Sequence, residues 1–249
     1  MGATEHRFNT LDGTPVHYWR WTDGTAGSRS EQRTFASTHQ FHARLVTWLR
    51  DLRALAETHG GLRGMQRIVS AGAYVNKPGQ HGLGQAFDLD EVRWANGTIS
   101  PYRRDHASRD RIVVRRYIAL DAVCRRHFRW VLDAGYNAAH GDHLHLDFGG
   151  GAPRCDTASP SDTAFVQLAC NAHMGAGLRV DRVWGRKTQT AFDESLRRLA
   201  LEGDPRRSAT QWRTWLGRTA ACGFANTDFV APPAPAPDPI GDLLRDLLG

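Results

Sequence analysis

The sequence predicts an α+β protein: a helix-and-strand domain carrying clustered histidines and aspartates, then a small all-α module of three helices. Three observations lead there. AFDLDEV (86–92) and HLHLDF (143–148) alternate apolar and polar residues with period two, as strands do. Residues 37–58 and 111–128 repeat apolar residues at helical spacing instead. Gly149-Gly150-Gly151-Ala152-Pro153 then breaks the pattern, and the chain beyond this break reads as short helices.

In chain order, residues 1–34 read as a β-rich extension, because VHYWRW (16–21) alternates imperfectly and Asp12-Gly13 is a turn signal. A helix is expected from Ser37 to Thr58, with Phe41, Leu45, Trp48, Leu49, Leu52 and Leu55 on one side and Gly60-Gly61 ending it. Residues 66–75 read as a strand, 86–92 as another after the glycines of HGLG, and Asn96-Gly97 as a turn. The next helix runs from Arg111 to Phe128, and HLHLDF closes a domain spanning 35–155. Helices are expected at 162–173, 186–200 and 208–220 within a module spanning 161–225. Residues 231–249 hold a Pro/Ala linker, APPAPAPDP, and then IGDLLRDLLG, whose Ile240, Leu243, Leu244, Leu247 and Leu248 share one helical face. So short a helix is marginal alone in water and is expected to dock, either on a partner or on this protein's own surface.

Hydrophobic residues make up 41% and charged residues 23%, the balance of a globular chain. No apolar run approaches a membrane span, and MGATEHRFNTLDGT has no h-region of a Sec signal. The net charge of +6 suits an anionic partner without choosing among nucleic acid, wall polymer and membrane surface. Cys124, Cys155, Cys170 and Cys222 lack CxxC spacing, which argues against a thiolate metal site.

The chemistry lies in QHGLGQAFDLD (80–90) and HGDHLHLDF (140–148). Strand alternation sends Leu144, Leu146 and Phe148 to one face, and His143, His145 and Asp147 to the other. Asp88 and Asp90 likewise oppose Phe87 and Leu89. His81 comes from the turn just before, where Gly82 and Gly84 let the backbone bend tightly. Imidazoles and a carboxylate, with a further base beside them, match the parts of a catalytic zinc centre, which takes three protein ligands and leaves one position open.

HxxGxAxD (81–88) followed by HxxHxH (140–145) resembles the zinc peptidases grouped as lysostaphin, D-Ala-D-Ala metallopeptidase and hedgehog type. The stretch from Tyr117 to Gly151 is similar to the extensin-like C-terminal family, and the resemblance covers about residues 35–155. It implies a small antiparallel sheet carrying the zinc site, flanked by helices. It implies His81, Asp88 and His145 as zinc ligands and His143 as general base or acid. His140 matches a further active-site His of murein endopeptidases in that group, and Asp142 is a rival base. Many members carry an Arg before the first motif; SAGAYVNKPG (70–79) has none, leaving Tyr74 or Lys77 as substitutes and favouring endopeptidase over carboxypeptidase action. Residues 164–196 are similar to three-helix peptidoglycan-binding modules, with Asp181 as a cap and Val180 and Trp184 as core.

The expected function is therefore a zinc-dependent hydrolase of peptidoglycan stem peptides or cross-bridges. The alternative is a wall-binding or delivery-machine component whose metal site is inert or structural. No nucleic-acid partner is expected, since no nuclease motif matches as well. The wall lies outside the membrane, so delivery is expected at phage lysis or by a non-Sec machine to which the Ile240–Leu248 helix docks. In that setting Cys124–Cys155 and Cys170–Cys222 are the expected disulfides.

Overall fold

A computed structural model describes residues 6–19, 31–149 and 151–230. The linker and helix expected at 231–249 lie outside the described residues.

The strands are β1 His6–Phe8, β2 Thr10–Leu11, β3 Thr14–Tyr18, β4 Glu31–Gln32, β5 Phe35–Ser37, β6 Met65–Gly72, β7 Ala86–Trp94, β8 Gly97–Ile99, β9 Trp130–Leu132 and β10 Leu144–Asp147. The helices are α1 His39–Gly60, α2 Arg111–His127, α3 Pro160–Met174, α4 Arg186–Arg198 and α5 Ala209–Ala225. The main sheet has the order β2-β3-β6-β7-β10-β9, with β4 on β3 and β8 on β7. It is mixed rather than antiparallel, because β3 runs parallel to β6. Parallel neighbours need a long crossover, and α1 supplies it between them. β2, β3 and β4 thus belong to the same sheet that carries the histidines, while β1 pairs with β5 in a separate two-stranded sheet.

Thr38 caps α1, its Oγ1 accepting the Phe41 N–H at 3.2 Å, and Gly61 ends it with φ +60°. The helix buries Phe41, Leu45, Trp48, Leu49, Leu52 and Ala56, a stripe at helical spacing. Asp110 caps α2 by accepting the Ile112 N–H at 2.8 Å. Phe87, Leu89, Leu144 and Leu146 of the sheet join this helical layer in one core. Each such side chain contributes roughly 1.5–3 kcal/mol on leaving water.

The parts of the chain before and after the glycine break do not form two separate cores. Phe165, Phe192, Trp212 and Trp215 of the later helices belong to the same cluster as Trp48 and Leu89. A Cβ on Gly223 of α5 would stand 2.5 Å from the Arg115 carbonyl of α2, so the two helices approach to backbone distance. Arg115 closes two helix ends, donating to Ala172 O at 2.9 Å and Asn226 O at 2.8 Å. Arg125 on α2 is buried and donates to Asp121 at 2.8 Å, Asp133 at 2.9 Å and Asp162 of α3 at 2.7 Å.

Two expectations are corrected here. All four cysteines are free and buried, so neither Cys124–Cys155 nor Cys170–Cys222 is bridged. Burial pushes the Cys170 thiol up to about 12, as suits an inert core group. Val180 is exposed rather than core. Asp181 braces the turn instead, accepting Val183 N–H at 3.0 Å and Gln167 Nε2 at 2.8 Å, and Trp184 packs edge-on against Phe192.

Candidate metal centre

The register of β10 against β7 sets His145 directly opposite Asp88. Leu144 and Leu146 point into the core, as alternation requires, and hold the strand so that His145 faces the other way. The 73–85 loop returns to the start of β7 and brings His81 alongside. Gly84 takes φ +65°, and a Cβ on Gly82 would lie 1.8 Å from the Lys77 carbonyl oxygen. Only glycine fits that turn.

One donor atom from each of His81, Asp88 and His145 lies within 4.8 Å of the other two. Nε2 of His81 is 3.1 Å, and Nδ1 of His145 2.9 Å, from the same Asp88 oxygen. The outer nitrogens are held as well. His81 Nδ1 donates to the Ala73 carbonyl, and His145 Nε2 is 3.4 Å from an Asp147 oxygen. A carbonyl only accepts, so His81 carries its hydrogen on Nδ1 and turns the Nε2 lone pair toward Asp88. Two lone-pair atoms meeting at 3.1 Å call for positive charge between them. A proton or a metal cation can provide it, and two imidazoles with one carboxylate are a fitting set for zinc.

The electrostatics agree. Burial works against ionising Asp88, but hydrogen bonds from His145 and His81 outweigh it and hold its carboxyl far below the usual range. Burial disfavours charge on His145 too, yet Asp147 and Asp88 raise it to about 9. Buried Asp90, beside Asp88, is pushed up by burial and then by the Asp88 charge.

The remaining expected residues border this centre. His143 precedes the strand rather than lying in it. Its Nδ1 is 2.9 Å from Asp142 Oδ1, and its Nε2 is 3.8 Å from the Asp88 oxygen. His140 is held by Asn137, whose Oδ1 accepts from Nδ1 at 2.7 Å, with ring centroids 5.1 Å from His143 and 6.0 Å from His145. Burial, with His143 and His145 nearby, pushes His140 down to about 4. Tyr74 lines a neighbouring cavity, whereas Lys77 lies exposed in the loop. Sequence reasoning gave no role to Ala73, Asn137 or Asp147. Asp147 alone had a readable signal, two residues from His145 on the same strand face.

Residues 62–156 match the family model for the extensin-like protein C-terminus, a segment that runs from before β6 to beyond β10 and holds both motifs. No curated protein and no solved structure matches the chain. No helix among the described residues is long and apolar enough to cross a membrane.

Proposed function

We propose that this chain is a zinc-dependent peptidase that cleaves amide bonds in peptidoglycan stem peptides or cross-bridges, acting as an endopeptidase. The observation that carries the proposal is the convergence of His81, Asp88 and His145 on one point, their donor atoms within 4.8 Å of one another. His143 beside them supplies the base that hydrolysis needs. The wall as substrate rests on the resemblance of 35–155 to wall peptidases and of 164–196 to peptidoglycan-binding modules.

Bound zinc would lower the pKa of water toward about 7 and polarise a substrate carbonyl. The protein's own part is proton handling. Asp142, as a carboxylate, only accepts, so it fixes the hydrogen of His143 on Nδ1 and leaves Nε2 free to take a proton from water and return it to the leaving amine. Asp142 is thus the orienting group rather than the rival base. His140, pushed down to about 4, stays neutral at pH 7 and adds no charge against the developing imidazolium of His143.

The test is mass analysis of soluble products from purified sacculi incubated with the zinc-loaded chain. Peptide fragments with new amino termini are expected, and their masses name the bond. Sacculi that bind the loaded protein but release no such fragments would replace this reading with that of a wall-binding component.

A further inference from the structure

We infer that the N-terminal strands supply an anion subsite next to the metal centre, which takes a carboxylate of the peptide substrate through Arg7 and Arg33. The inference rests on the peptidase reading for the identity of the ligand. Its geometry stands independently.

A cavity of about 620 Å³ is lined by Arg7, Tyr18, Arg33, Gly72, Ala73 and Tyr74 among others. Two of these residues tie it to the metal ligands. Gly72 is the cross-strand partner of Asp88, and Ala73 offers the carbonyl that holds His81. A Cβ at Gly72 would meet nothing closer than Val75 Cγ2 at 3.8 Å, so no side chain fills the space over the backbone paired with Asp88.

The far wall is cationic. Arg33 lies over the Tyr18 ring, 4.6 Å from its centroid, which orients the planar guanidinium. Among the described residues its carboxylate neighbour is Glu31 at 3.9 Å, and both side chains are more than half exposed, so that pair is weak and readily exchanged. Arg7 has no ion pair among the described residues. Tyr74 closes the rim, tied to β5 through its N–H on the Ala36 carbonyl at 3.1 Å. Two guanidiniums and two phenol rings around one cavity suit a carboxylate, which takes paired N–H donors.

Tyr18 pairs with Ser70 of β6, and Ser70 with Leu89 of β7, one residue from Asp88. The arginines stand two strands or more from the ligand strand, so the carboxylate they take is a side-chain or terminal one away from the scissile amide.

The test is calorimetric titration of the full chain, in chelator so that no metal competes for the carboxylate. The probes are acetyl-tetra-alanine with a free C-terminal carboxylate and the same peptide as its amide. The acid should bind about tenfold tighter than the amide, and the difference should vanish in R7Q/R33Q while the melting temperature stays unchanged. Equal affinity of acid and amide, no heat from either at millimolar concentration, or a preference kept in the double variant would overturn the inference. An acid preference together with inert sacculi would keep the subsite and remove the peptidase reading. Cleaved sacculi with no acid preference would do the reverse.

Discussion

His145 and Asp88 face each other across β10 and β7, with Nδ1 of His145 2.9 Å from Oδ1 of Asp88. Strand register thereby does what a chelate loop does elsewhere: it fixes two donors on a rigid sheet and leaves one turn to bring the third. Removing either donor should empty the centre. His145→Ala and Asp88→Asn are expected to lose zinc by elemental analysis and all amide hydrolysis with it. Asp147→Asn, which only loosens the outer nitrogen of His145, should weaken zinc affinity about 10–100-fold.

His143 and Asp142 should separate from the ligands kinetically. His143→Ala is expected to keep full zinc and lose about 10²–10⁴-fold in kcat, the usual contribution of a positioned base. Asp142→Asn should keep zinc and fall less far, since an amide still holds Nδ1 but lends no charge. An Asp142→Asn loss larger than that of His143→Ala would make Asp142 the base.

Metal affinity should depend on pH with a definite sign. His145 is held up at about 9, so below that pH its proton must leave before zinc binds. Affinity should rise as pH rises toward 9, by up to about tenfold per unit from this proton, and then level off. Zinc titrations from about pH 6 to that plateau, with proton release read from the buffer dependence of the heat, check both slope and stoichiometry.

Gly82→Ala should damage the centre without touching a ligand. The new Cβ would fall 1.8 Å from the Lys77 carbonyl, so the loop must move and His81 with it. Zinc binding should fall while circular dichroism of the fold is kept. Full zinc affinity in this variant would mean that the loop is not what places His81.

Arg125→Ala should cost about 3–5 kcal/mol in denaturant unfolding, because it strands the buried carboxylates of Asp121, Asp133 and Asp162. These carboxylates come from α2, the segment after β9 and α3, so the loss should loosen the later helices against the sheet domain.

The long elements and the site face were legible in the sequence because each has a period. Phe41 to Ala56 repeat as a helix does, and Leu144, His145 and Leu146 alternate as a strand does. The parallel pairing of β3 with β6 was not legible, since period two marks a strand but not its neighbour or direction. Nor was the shared core: Gly149 to Pro153 reads as a break, and only packing shows Trp215 in one cluster with Trp48. Arg125 looks like any surface arginine of a helix until three aspartates from separate segments surround it. Ala73 gave no signal at all, because it works through its backbone carbonyl.

The most direct test of the account is amine release from purified sacculi by one protein sample in three states: zinc-loaded, chelator-stripped, and stripped then reloaded. Release should be present, absent and restored in that order, and absent throughout in His145→Ala. Release that survives complete metal removal, or none from a fully loaded sample, would contradict the central claim.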